Sequence, residues 1–293
     1  MSYCEQLVTC PDGRALEVAT VGDPAGHTVF FHHGTPGSVR SVSSFGAVAE
    51  SSDLFFVTMS RPGYANSSRR EGRSVASVAD DVRTVLSALG RAEYISVGWS
   101  GGGPHALACA ALDERCRGAW SLAGVVPMDA DIEWTAGMGP ENLEEFALAR
   151  EGGPRYEAHM AEMGAQLATA NPDNIIDLFG GLLSEIDKTA LADAEARTTF
   201  AAATRYAFAN GWRGFYDDDR AFFSPWGFDP ATIAVPVEVW YGDEDLMVPP
   251  THGAWLVKNL PTAREVHRPG EGHVSLVTNC LGDLGASFSL AFA

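Results

Sequence analysis

Positive charge is scarce in this 293-residue chain. Lys188 and Lys258 are its two lysines, and lysine and arginine together number 20 against 38 acidic residues. The net charge of −18 repels phosphate backbones and acidic membrane surfaces, which argues against nucleic acid or membrane as a partner. A neutral or cationic small molecule meets no such penalty. Cysteine is also sparse: Cys4, Cys10, Cys109, Cys116 and Cys280 are odd in number and lack C-x-x-C spacing, so neither a disulfide framework nor a zinc site is expected. No uncharged apolar stretch nears the roughly 20 residues of a membrane helix. The opening Met1-Ser2-Tyr3-Cys4-Glu5-Gln6 has no basic segment followed by an apolar run, so the expectation is a soluble, cytoplasmic protein.

The apolar share of 46% is ample for a core. Alternating segments from Gln6 to Thr9 and Ala15 to Val21, separated by Pro11-Asp12-Gly13, predict an antiparallel hairpin. Short runs rich in β-branched and aromatic residues follow at 27–32, 54–58, 94–97, 118–122 and 237–241. Helical stretches lie between several of them, including Val75 to Leu89 and Gly103 to Leu112, and this alternation predicts an α/β fold with a parallel sheet and crossover helices. From about Met128 to Trp226 the rhythm breaks into consecutive helices, with Tyr156, Met160, Met163 and Leu167 on one face and a helix from Thr198 to Asn210 stopped by Gly211. The expected division is a core of 1–127 and 227–293 with a helical insertion, 128–226, packed on it.

Ser100 is the residue that most needs explaining. Gly98-Trp99-Ser100-Gly101-Gly102 follows the β-type run Tyr94-Ile95-Ser96-Val97 and leads into an Ala-rich helix, where a tight strand-to-helix turn would hold the serine up as a nucleophile. Small residues on either side let strand and helix approach. A serine hydroxyl at neutral pH needs a base within hydrogen-bond reach, and that base needs an acid to hold its tautomer. Downstream, Gly242-Asp243-Glu244-Asp245 follows one strand and Gly270-Glu271-Gly272-His273 follows the next, both at the sheet edge where open α/β proteins build their sites.

The order serine, acid, histidine, the G-x-S-x-G turn and the loop His33-Gly34-Thr35-Pro36-Gly37 together resemble the α/β-hydrolase fold family, over essentially the whole chain. The resemblance implies a mostly parallel eight-stranded sheet with a helical cap inserted after the sixth strand. It implies Ser100, Asp245 and His273 as catalytic residues, with the Thr35 and Gly101 amides as the oxyanion hole. The family spacing of Gly, two residues, Asp, then Val-Pro selects Asp245 over Asp243; Asp129 is the position from which some members supply the acid. Arg61-Pro62-Gly63-Tyr64 resembles another loop of these enzymes, and His33 resembles the histidine that steadies the oxyanion loop.

His267 falls within the last strand and reads as structural, and His32, His105, His159 and His252 read as packing or surface residues. Asp217-Asp218-Asp219 reads as a solvated turn or helix cap rather than a cation site. Among the aromatics of the cap and its flanks (Trp134, Phe179, Tyr206, Trp212, Phe215, Tyr216 and Phe223), some should face the serine. Trp99, fixed beside it, is the expected substrate-binding residue. The activity implied is cofactor-free, metal-free hydrolysis of a small, apolar carboxylic ester through an acyl-enzyme. Prolyl-aminopeptidase-like, lactonase and perhydrolase activities on the same scaffold, or a non-enzymatic small-molecule receptor, are the alternatives.

Overall fold

The computed structural model describes residues 3–292; Met1, Ser2 and Ala293 lie outside them, and with them the first two residues of the N-terminal segment read above. Eight strands form one sheet in the order β1-β2-β4-β3-β5-β6-β7-β8. β1 (Cys4–Thr9) and β2 (Ala15–Gly22) make the expected antiparallel hairpin around Pro11-Asp12-Gly13, and β2 runs antiparallel to β4 (Leu54–Met59). All other pairings, through β3 (His27–His32), β5 (Tyr94–Trp99), β6 (Cys116–Leu122), β7 (Val237–Gly242) and β8 (Ala263–Arg268), are parallel.

The run Leu54-Phe55-Phe56-Val57-Thr58-Met59 is buried at every position because crossover helices cover both faces of a parallel sheet. Successive side chains take opposite faces: Phe30 and Val57 join one buried cluster, Phe31 and Phe56 the other. Flanking the first half of the sheet are α1 (Gly46–Glu50), α2 (Val78–Ala88) and α3 (Gly103–Leu112). The helix expected from Val75 opens as a short 3₁₀ turn, Val75–Ser77, capped by Ser74, before α2 begins.

Between β6 and β7 the chain runs through α4 (Pro140–Glu151), α5 (Gly153–Leu167), α6 (Ile175–Phe179), α7 (Glu185–Ala190), α8 (Ala194–Ala207) and α9 (Arg213–Phe222). α8 starts earlier than its apolar pattern suggested because the Asp193 side chain caps it, accepting from the Ala196 N–H at 2.8 Å. Phe146, Tyr156, Phe215 and Phe222 from these helices belong to the same buried cluster as Phe30 of β3 and Leu107 of α3, so the segment shares the core instead of building its own. The chain closes with α10 (Pro250–Asn259), α11 (Ser275–Thr278) and α12 (Leu281–Leu290). Among the described residues no helix is long and apolar enough to cross a membrane.

Candidate active site

Five loops leave the C-terminal ends of β3, β4, β5, β7 and β8, and they carry Thr35, Arg61, Ser100, Asp245 and His273 respectively. Ser100 has φ +57°, a left-handed conformation that L residues adopt only under constraint. The constraint comes from its glycines. A side chain on Gly98 would overlap the Gly102 carbonyl, and one on Gly102 would overlap the His32 carbonyl, so strand, turn and α3 close this tightly only with hydrogens at both places.

Asp245 and His273 meet although they come from different loops. The Asp245 carboxylate, 2% exposed, accepts from His273 Nδ1 at 2.7 Å through Oδ2, and from the Met247 and Val248 amides at 2.8 Å through Oδ1. Those amides fix the carboxylate, and the carboxylate leaves Nε2 of the imidazole available as the basic nitrogen. Trp99, the residue before Ser100, lies over the imidazole with ring centroids 5.1 Å apart and donates its indole N–H to the His273 carbonyl at 3.1 Å. Ser100 Oγ itself makes no hydrogen bond among the described residues. Asp243 lies half-exposed at the surface, accepting from the Gly270 amide, and Asp129 is exposed; neither reaches the histidine. His267 is also exposed and stacks on Tyr241.

A residue that sequence reading missed holds the histidine loop. Asp187 on α7 is fully buried, and its carboxylate accepts from the amides of His273 (3.2 Å), Val274 (2.8 Å) and Ser275 (2.9 Å). Gly272 is required there, since a Cβ would strike Ser184 and that carboxylate.

The Thr35 loop is held from the same side of the sheet by a buried ion network. Arg61 donates to the Asp218 carboxylate at 2.6 Å, to the Gly34 carbonyl and Thr35 Oγ1 at 2.9 Å, and to the His33 carbonyl. Thr35 Oγ1 and Tyr64 Oη also donate to Asp218, at 2.7 and 2.8 Å, and Arg73 pairs with it at 2.7 Å. Burial alone would raise the Asp218 carboxyl; the Arg61 and Arg73 guanidiniums overcome it and hold the group well below the usual carboxylate range. His33 contacts the Gly34 carbonyl through Nδ1 at 2.7 Å and accepts the Arg61 amide at Nε2, a pattern that requires the neutral ring. Burial and the Arg61 charge push its pKa far down, in agreement. The loop ends against the nucleophile: a Cβ on Gly34 would sit 3.4 Å from Ser100 Cβ, and one on Gly101 would overlap the Thr35 side chain.

Ser100, Gly101 and Thr35 open into a cavity of about 360 Å³ walled by the α4, α5 and α9 helices. Phe179 and Phe215 are the expected aromatics that reach it, joined by Phe146 and Phe222. Three expectations are corrected here. Trp99 is not on the cavity wall, because its indole is committed to His273 and to Phe200. His159, read above as a packing or surface residue, is on the wall. The aspartate run is neither a solvated turn nor a cap: all three side chains are buried within α9, Asp217 paired with Arg69 at 2.8 Å, Asp218 in the ion network and Asp219 on the cavity. The signal was present in the helical frame, since Phe215, Asp218, Asp219 and Phe222 share one face. Among the described residues no group of histidine, cysteine and carboxylate side chains could hold a metal ion.

Compared with known families, residues 27–279 match the alpha/beta hydrolase fold. The chain belongs to the alpha/beta hydrolase fold family. Membership makes it an enzyme of the hydrolase kind. Solved structures of the family superpose along nearly the full length. The esterase RhEst1 from Rhodococcus sp. ECU1013 is 20% identical with a TM-score of 0.70, covering 99% of each chain. The bromoperoxidase from Bacillus anthracis is 18% identical with a TM-score of 0.70, also over 99% of each chain. An esterase from Exiguobacterium antarcticum is 14% identical with a TM-score of 0.70, over 99% of this chain and 100% of that one. At these identities the likeness is one of fold. No curated protein sequence matches the chain.

Proposed function

We propose that this hydrolase cleaves small carboxylic esters by acyl transfer through Ser100. The observation that carries the reading is a serine at φ +57°, open to a cavity and next in sequence to the tryptophan that packs against a carboxylate-bound imidazole. In this reading Ser100 Oγ attacks the ester carbonyl while His273 Nε2 takes its proton, and Asp245 stabilises the imidazolium that forms. Charge developing on the carbonyl oxygen is met by the Thr35 and Gly101 amides, whose loops touch beside the serine. His273 then returns the proton to the departing alkoxide. Water, deprotonated by the same ring, attacks the acyl-enzyme and releases the acid, restoring Ser100. In this reading the hydrogen bond from Ser100 Oγ to His273 Nε2 forms once substrate is seated. Residues 128–226 act as the cap over this site, and 1–127 with 227–293 as the catalytic core.

Ser100→Ala is expected to lower kcat on p-nitrophenyl butyrate by at least about 10³-fold with an unchanged far-UV spectrum, because triad members act as a unit. A fluorophosphonate probe should label the wild type stoichiometrically at Ser100. Full turnover by the alanine variant, or a folded wild type that takes no label, would remove Ser100 from the chemistry and leave a small-molecule receptor as the better reading.

A further inference from the structure

The cavity wall contains carboxylates and no fixed cation. Glu141, Glu144, Glu145, Glu162 and Asp219 line it, and neither lysine nor arginine does. Most of these carboxylates reach solvent, but Glu145 and Asp219 are 4% and 1% exposed, from α4 and α9 respectively. Asp219 Oδ2 accepts from Tyr156 Oη at 2.7 Å. Glu145 pairs with no cation among the described residues; its buried carboxyl faces the cavity beside Asp219, close enough for the two acids to share a hydrogen bond. Two further polar atoms on the same wall, Glu141 Oε2 and His159 Nε2, are buried without partners. Burial and the adjacent Asp219 charge push the Glu145 carboxyl well above its usual range, and burial does the same to Asp219, so the pair without a countercharge retains a proton.

Two buried acids that share one proton keep a net negative charge, and that charge stays uncompensated unless a cation arrives from outside. Arg61, Arg73 and Arg69 are committed to Asp218 and Asp217, and among the described residues no lysine or arginine forms an ion pair with Glu145 or Asp219. We propose that the Glu145–Asp219 pair is an ammonium anchor, and that the substrates of this hydrolase are small esters or related acyl compounds carrying a protonated amine. The inference rests on the acyl-transfer reading for its chemistry, since Ser100 lines the same cavity, but the anchor is a binding site in its own right. A pair holding one proton has a single negative charge, and one ammonium neutralises it. Its N–H donors reach Glu145 and Asp219 together and bring the countercharge, which a neutral substrate cannot do.

The test uses benzyl esters paired so that each pair differs only in the amine: benzyl propanoate against the benzyl esters of alanine and β-alanine, and benzyl butanoate against that of 4-aminobutanoate, the series covering the unknown reach from carbonyl to anchor. At least one amino ester should exceed its unsubstituted parent by about 10- to 100-fold in kcat/KM, the size expected of charge-assisted hydrogen bonds. Glu145→Gln, and separately Asp219→Asn, should reduce that ratio to below about 3-fold. Equal rates for cationic and neutral esters, or a preference that survives both substitutions in folded protein, overturns the proposal. Calorimetric titration with benzylamine separates this outcome from failure of the catalytic reading. If no ester is turned over yet benzylamine binds at least about 10-fold more tightly than benzyl alcohol and loses that advantage in Glu145→Gln, the anchor stands without the triad. Benzylamine binding no better than benzyl alcohol sinks the anchor whatever the esterase assay shows.

Discussion

Asp218 and Asp219 are consecutive residues of α9, both essentially inaccessible to water, and their surroundings are opposite. One helical step turns Asp218 toward the sheet edge, where the Arg61 and Arg73 guanidiniums and the Thr35 and Tyr64 hydroxyls converge on its carboxylate. The same step turns Asp219 toward the cavity, where a tyrosine and a second carboxylate face it. Asp218 is therefore held ionised and Asp219 is pushed toward its neutral form. A side chain's identity sets its reference ionisation, and its packing partners decide whether burial turns it into a structural clamp or an open valence. On this cap one residue fastens the catalytic loop and its neighbour waits for a ligand.

The largest effect should follow from removing the clamp. Asp218→Asn leaves Arg61 and Arg73 buried without a countercharge, and about 3–5 kcal/mol of stability should be lost in urea titrations at pH 7. The Thr35 loop loses its fixed acceptor at the same time, so kcat should fall more than KM rises. Acid sharpens the contrast. Because the folded pKa of Asp218 is depressed, its contribution is present above the unfolded value of about 4 and disappears as pH falls further, so the wild type should lose its advantage over the variant below about pH 4. A variant within about 1 kcal/mol of wild type at pH 7 would mean that the network is not what secures the loop.

Asp219→Asn should act with the opposite sign. Its folded pKa is raised, so the stability it contributes is present below about pH 4 and is lost as pH rises toward the folded value. An amide cannot ionise and still accepts from Tyr156, so at pH 8 without ligand the variant should be more stable than wild type by roughly 1–2 kcal/mol, and at pH 4 equal to it or less stable. Thermal melts at the two pH values read the crossing. Destabilisation at both would place Asp219 in the same class as Asp218 and erase the distinction.

The sheet and the site were legible to very different degrees. Strands such as Leu54–Met59 announce themselves because burial on two faces demands an unbroken apolar run, and Ser100 does so because its backbone strain demands glycines at fixed distances. Asp245 and His273 could be placed because each ends a strand in the order the fold imposes. Asp187, Asp218 and Glu145 could not be placed that way. Their partners lie 86, 157 and 74 residues away in the chain, as His273, Arg61 and Asp219, and an isolated carboxylate on a helix reads first as a solvated face. Only the interruption of an apolar face in α9, with Phe215 and Phe222 flanking the acids, carried the hint of burial. Trp99 misled for a related reason: adjacency to the nucleophile fixed its position but not its direction, and its indole N–H found the His273 carbonyl.

The smallest expected effect tests the cavity side alone. Tyr156 Oη is the hydroxyl donor to Asp219, and its ring stacks on Tyr216 at 5.1 Å, an arrangement that Tyr156→Phe leaves in place while deleting the hydrogen bond. The loss should be about 0.5–1.5 kcal/mol. It should be larger at pH 8 than at pH 5, because a hydroxyl donates more strongly to a carboxylate than to a carboxylic acid. Urea titrations at both pH values give the two losses. If they are equal, the pair stays in one protonation state throughout this range, and the sign reversal expected for Asp219→Asn should vanish with the pH dependence. Unequal losses with the larger at pH 8 tie the ionisation to Asp219, and adding benzylamine should then shift the wild-type curve without needing Tyr156.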